Sequence, residues 1–235
     1  MDQPTLYHSS VMQRSIYLAG GGEFAAATES ADRRVLGMLS GSRVAIVPTA
    51  AARHSPELAA RNGIRYFSGL GSDAEAVMML DENNAHDEEL CSMLARADLI
   101  YLTGGDPAHL VKVFQGSRGL ETLERAAERG SIIGGSSAGA MALGPVVAFP
   151  KQGIAKGLGL VDVVTIPHAE SIPQARQDEI ADAIGTDHPI AAIPSESTCM
   201  VNGDKLESFG PDAVAVYAGA TWRTVEPNTA TQLSG

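Results

Sequence analysis

Apolar runs of strand length alternate with longer amphipathic stretches along most of this chain, a rhythm that confines it to a parallel sheet covered by helices on both faces. Candidate strands lie at 15–19, 43–48, 74–79, 98–103, 131–136 and 161–166. Helical patterns lie between them at 30–39, 55–67, 87–97, 108–114 and 120–128. The expected fold is a three-layer α/β sandwich. From Ile190 the texture changes to short runs at 190–193, 199–201, 205–208 and 213–217, with Gly203-Asp204 between two of them. These read as antiparallel strands with a hairpin. Residues 1–14 and the polar, Thr-rich 226–235 are expected to form flexible tails.

No Pro/Ser-rich linker or charge block divides the 235 residues, so one domain over 1–235 is expected. A hydrophobic fraction of 44% against 19% charged residues supplies enough apolar material for a sizeable core. The net charge of −11 opposes nucleic acid as a partner, because phosphate backbones are held by clustered Lys and Arg. No apolar stretch approaches the roughly 20 residues that span a bilayer, and residues 1–14 lack the apolar centre of a signal peptide. A soluble cytoplasmic protein with no membrane partner is expected, and a homodimer is left open. Cys91 and Cys199 stand far apart without metal or redox spacing and read as buried core thiols.

Ligands in open α/β sheets bind beyond the carboxyl ends of the strands, and three glycine-rich loops fall there. Gly20-Gly21-Gly22-Glu23-Phe24-Ala25 formally fits the dinucleotide fingerprint, but the second strand ends in Pro48-Thr49-Ala50 instead of the acid that would hold a ribose. These glycines, Gly21 among them, are expected to bring the loop close to a substrate. Gly104-Gly105-Asp106-Pro107 follows the fourth strand. Gly135-Ser136-Ser137-Ala138-Gly139 follows the fifth and has the form of a nucleophile elbow, with Ser137 at the strained corner. The N–H groups of Ala138 and Gly105 are the expected oxyanion donors.

A serine nucleophile needs a base within hydrogen-bond reach. Among six histidines, His8, His54, His86, His109 and His188 fall in the tail, near helix starts or in a turn. His168 directly follows the apolar run 161–167, which puts it on the same sheet edge as Ser137. No His/Asp/Glu set has metal-ligand spacing, so neither metal nor cofactor is expected.

Gly104-Gly105-Asp106, the elbow Gly135-Ser136-Ser137-Ala138-Gly139-Ala140, Gly157-Leu158-Gly159-Leu160 and Pro167-His168 occur in that order. In this the chain resembles the peptidase E and cyanophycinase family of serine peptidases, from Ile16 to the terminal hairpin. The resemblance implies a class I glutamine amidotransferase-like fold with a mostly parallel, flavodoxin-like sheet and C-terminal antiparallel strands. It implies Ser137 as nucleophile, His168 as general base and, from 192–198, Glu196 as the acid orienting the base. Asp162 is the competing acid, although a straight strand puts it about six residues, or roughly 20 Å, from the histidine. Cyanophycinases carry an Asp-Gln pair before the histidine and several arginines after it, whereas here stand Ile166-Pro167 and Arg176. The Pro-His pair is closer to peptidase E, whose relatives favour dipeptides with an N-terminal aspartate. The aspartate assigned to the triad of peptidase E has no counterpart in the segment that holds Lys151 and Gln152. Arg176 matches an arginine of both relatives and is a candidate clamp for a substrate carboxylate. Asp106, beside the oxyanion loop, is a candidate for holding a substrate amine.

The expected activity is hydrolysis of a small peptide or amide, an aspartyl dipeptide among the candidates, through a Ser-His-Glu triad and an acyl-enzyme. The alternatives are an acyltransferase or tailoring amidase using the same acyl-enzyme, and a non-catalytic relative that binds a small ligand.

Overall fold

The computed structural model describes residues 14–149 and 153–234. Lys151, Gln152 and the tail holding His8 therefore lie outside the described residues. The first half alternates strand and helix: β1 (Ser15–Ala19), α1 (Glu29–Leu36), β2 (Arg43–Val47), α2 (Pro56–Gly69), β3 (Asp73–Ala76), α3 (Glu88–Arg96) and β4 (Leu99–Leu102). Then come α4 (Pro107–Phe114), α5 (Arg118–Glu128), β5 (Ile132–Ser136), α6 (Ala138–Leu143), the hairpin β6 (Val146–Phe149) and β7 (Gly153–Lys156), β8 (Val164–Pro167) and α7 (Gln174–Ile184). The remainder is strand: β9 (Ile190–Ile193), β10 (Thr198–Asn202), β11 (Lys205–Phe209), β12 (Val214–Ala218), β13 (Thr221–Val225) and β14 (Ala230–Gln232).

The main sheet runs β14-β11-β10-β1-β5-β4-β2-β3. Its β1-β5-β4-β2-β3 portion is parallel, and β10, β11 and β14 extend it antiparallel. Alternation along each strand feeds two cores, because successive side chains point to opposite faces. Ile16, Leu18, Ala45, Val47, Ile100, Leu102 and Ile133 pack on the face covered by α3 to α6. Tyr17, Val44, Ile46, Leu99, Tyr101 and Ile132 pack on the other face with Val35 of α1 and Phe67 of α2. Both cysteines are free and buried in this body. Helix starts are fixed locally. Asp87, Asp106 and Ser117 accept the first-turn N–H groups of α3, α4 and α5.

Three expectations change. The run at 161–166 does not join the main sheet; its ordered part, β8, belongs to a second sheet, β13-β12-β9-β8, packed on α7 through Val164, Ile166, Ala181 and Ile190. Within it β9 runs parallel to β8, and antiparallel only to β12. The C-terminal segment is not a frayed tail over 226–234: β14 pairs with β11, and Leu233 is buried. A polar edge strand shows no apolar alternation, since neither of its faces has to be covered. The Gly203-Asp204 hairpin joins β10 to β11 as expected. Among the described residues no helix is long and apolar enough to cross a membrane.

Candidate active site

Adjacent strands β1, β5 and β4 end together, with Ala19 beside Ser136 and Leu102 beside Gly135. One step beyond, Ser137 turns the chain into α6 with φ 48° and ψ −109°, a conformation L-residues rarely adopt. Its N–H donates to Ala19 O at 2.9 Å, and the surrounding glycines allow the tight turn. A Cβ on Gly139 would stand 2.2 Å from Leu102 O, and one on Gly135 would stand 2.5 Å from the carbonyl carbon of Gly139. The elbow expected from the sequence is thus present, with its serine half-buried at the strand end.

His168 reaches Ser137 from the second sheet. It follows β8 in a left-handed conformation (φ 52°, ψ 39°), and its N–H donates to Gly20 O at 3.0 Å. Nε2 of His168 lies 3.0 Å from Ser137 Oγ. Nδ1 lies 2.9 Å from Ser195 Oγ, which in turn donates to Glu170 Oε1 at 2.7 Å. The Ser195 N–H also donates to Glu170 Oε2 at 2.9 Å. Slight burial raises the Glu170 pKa, but the two bonds from Ser195 and the nearby imidazole outweigh it and hold the carboxyl below its ordinary range. An ionised carboxylate only accepts, so the single Ser195 proton points at Glu170 and the Ser195 oxygen must accept from Nδ1–H. That fixes the tautomer in which Nε2 is bare and accepts a hydrogen bond from the Ser137 hydroxyl.

The acid expected at this place was Glu196. The structure puts the neighbouring Ser195 there, backed by Glu170, while the exposed Glu196 packs its Cγ near Gly22 and donates its N–H to Gly21 O at 3.1 Å. Asp162 faces the opposite end of the second sheet, where its carboxylate meets His188 beside a cavity of about 600 Å³ remote from Ser137. Gly21 lies against the imidazole: a Cβ there would stand 2.2 Å from His168 Cε1. Gly105 approaches Ala50 so closely that a Cβ would stand 2.1 Å from Ala50 O. Among the described residues, no acceptor takes the Gly105 or Ala138 N–H. Asp106 is occupied, capping α4 through Ala108 and His109 and facing Arg53 at 3.6 Å. Arg176 sits in the first turn of α7 and pairs with Glu179.

Sequence reasoning missed Glu170 and Ser195, although both signals were local. Glu170 stands two residues after His168, and Ser195 adjoins the residue named as the acid. It placed Glu23 only in a loop that shapes specificity; the structure shows it accepting the Gly104 N–H with Oε1 at 3.0 Å and Oε2 at 3.1 Å. Of the six non-glycine residues with positive φ among the described residues, four are Phe24, Ser137, His168 and Glu196, all in loops of this site. Such strain concentrates where side chains must be held in fixed positions.

The fold resembles that of a peptidase from an acI-B1 Actinobacterium, with a TM-score of 0.83 at 23% identity over 97% of this chain and 100% of the other. A putative peptidase E protein from Listeria monocytogenes EGD-e matches with a TM-score of 0.64 at 19% identity, covering 85% of this chain and 100% of that one. An uncharacterized peptidase of Pasteurella multocida (strain Pm70) is 26% identical over 137 residues, 53% of this chain, and the match spans 66% of that relative's length. The model of peptidase family S51 matches residues 16–209, a span that includes Ser137, His168, Glu170 and Ser195. On that match, the chain belongs to peptidase family S51.

Proposed function

We propose that this protein is a serine hydrolase that cleaves small peptides or amides through an acyl-enzyme on Ser137. The observation that carries this reading is the directional chain from Ser137 Oγ through His168 and Ser195 to Glu170. Ser137 Oγ attacks the scissile carbonyl carbon while its proton passes to His168 Nε2. The oxyanion forms toward the unspent N–H groups of Gly105 and Ala138. Nε2–H then protonates the leaving nitrogen, the C–N bond breaks, and the acyl group remains on Ser137 as an ester. Water attacks that ester with Nε2 accepting its proton, and Ser137 leaves as the restored hydroxyl. Ser195 and Glu170 position the imidazole and stabilise its charged form.

The likeness of Pro167-His168 to peptidase E favours dipeptides with an N-terminal aspartate as substrates. The test is release of free amino acids from α- and β-aspartyl dipeptides by the wild-type protein and Ser137→Ala, with labelling of Ser137 by a fluorophosphonate alongside. Cleavage that disappears in the variant supports the whole reading. Labelling without cleavage removes the aspartyl preference, and a serine that is neither labelled nor required removes the hydrolase.

A further inference from the structure

Beside the nucleophile lies a carboxylate that the hydrolytic machinery does not use. Glu23 spends both oxygens on one N–H, that of Gly104. Its position is set by its neighbour Phe24, held at φ 64° among the rings of Tyr101, Tyr66 and Phe67 at centroid distances of 5.5, 5.7 and 6.0 Å. A Cβ on Gly104 would stand 3.2 Å from Glu23 Oε2 and 3.6 Å from Ser137 Cβ. Any side chain at Gly104 would crowd the carboxylate, so Gly104 lets Glu23 lie close to Ser137 with only bare backbone at that position. Glu23 and Gly104 line a cleft of about 330 Å³ together with Ala51, His54, Asn62 and Gly105.

Among the described residues, no Lys or Arg forms an ion pair with Glu23. The other charged groups at the mouth are engaged. Asp106 caps α4 and faces Arg53, and Arg65, in the adjoining cleft, donates to Asn62 Oδ1 at 2.8 Å. Burial raises the Glu23 pKa, opposed by the nearby Ser136 hydroxyl, the Gly104 N–H and His168. A poorly solvated carboxylate without a countercharge is costly, and next to a forming oxyanion it also repels the transition state. A cation delivered by the substrate removes both penalties.

We infer that Glu23 binds the free α-ammonium group of the residue whose carbonyl Ser137 attacks, so that the enzyme acts on unblocked amino termini. This rests on the serine hydrolase reading above. Of the two carboxylates flanking the Gly104-Gly105 loop, Glu23 takes the part that the sequence suggested for Asp106, because Asp106 is already paired.

The test compares kcat/KM for aspartyl and alanyl dipeptides with kcat/KM for their N-acetylated forms, in wild type and in Glu23→Gln. Gln retains an oxygen for the Gly104 N–H and removes the charge. The expected wild-type preference for the free amine is about 10²-fold or more, falling below about 10-fold in the variant. Equal wild-type rates on the two forms overturn the inference. So does an unchanged ratio in Glu23→Gln, or an equal loss on both substrates, which is what a loop-positioning role gives. Fluorophosphonate labelling of wild-type Ser137 separates the two claims. A labelled enzyme that cleaves no free-amine peptide overturns the ammonium assignment alone, whereas an unreactive Ser137 overturns both.

Discussion

His168 and Glu170 stand two residues apart in sequence, yet the imidazole reaches the carboxylate only through the hydroxyl of Ser195, 2.9 Å from Nδ1 and 2.7 Å from Glu170 Oε1. In the proposed mechanism the orienting acid therefore acts at second hand. Removing the intermediary leaves Nδ1 without a fixed partner and lets the imidazole adopt the tautomer that cannot accept the Ser137 proton.

Ser195→Ala is accordingly expected to lower kcat about 10²-fold with little change in KM, and Glu170→Gln about 10- to 10²-fold. Glu196→Gln should change kcat less than about 3-fold, since its exposed side chain makes no bond to the imidazole. Steady-state kinetics on one peptide substrate distinguishes these. A large loss in Glu196→Gln with normal Glu170→Gln returns the orienting role to Glu196.

Glu170 and Glu23 should move stability with pH in opposite directions. The Glu170 pKa is depressed on folding, so its contribution is present above the ordinary carboxylate pKa and is lost as pH falls through the lower folded value. The Glu23 pKa is raised, so folding loses stability as pH climbs from the ordinary carboxylate value through the folded one. At pH 7, Glu170→Gln should lower Tm, by no more than about 2 °C because the charge is screened, and Glu23→Gln should raise it. Both differences should shrink on acidification below the carboxylate range. Thermal melts across pH check the two signs independently.

Gly21→Ala places a methyl group 2.2 Å from His168 Cε1, so it displaces the imidazole. A shift of about 1 Å in the imidazole should cost about 10²-fold in kcat, with Tm falling by only about 2–4 °C. Far-UV circular dichroism matching wild type would locate the loss in geometry, not in folding.

Deleting residues 230–235 removes β14 and the buried Leu233. Losing that burial and the pairing with β11 should lower Tm by about 4–8 °C. An unchanged melting curve would mean that the segment adds nothing to the sheet.

Much of the main sheet was legible. The edges of β1 in that sheet, and of β9 in the second one, coincide with the sequence reading, because each is an apolar run bounded by polar or turn residues. The elbow was legible because glycines two residues either side of Ser137 have no bulk to spare. The sheet that takes β8 was not, since the four buried residues Val164–Pro167 look the same whichever partner they find. Pairing is a long-range choice that local pattern does not encode. The relay escaped for a similar reason. Glu196 has the right chemistry, but a left-handed backbone at φ 63° settles which neighbour faces the histidine, and nothing in Ser195-Glu196-Ser197 announces that turn.

Ser137 and His168 ride on different sheets, which share a core through Ala191, Ile193, Val214 and Val216 and meet again where the His168 N–H donates to Gly20 O. Ser137 is 31 residues ahead of His168, and Ser195 follows 27 residues later, so the three side chains meet only through long-range packing. Until the second sheet has docked, Ser137 lacks the imidazole partner that the proposed mechanism needs. Under the proposed mechanism, the reactivity of Ser137 is therefore a property of the docked pair of sheets and of neither sheet alone.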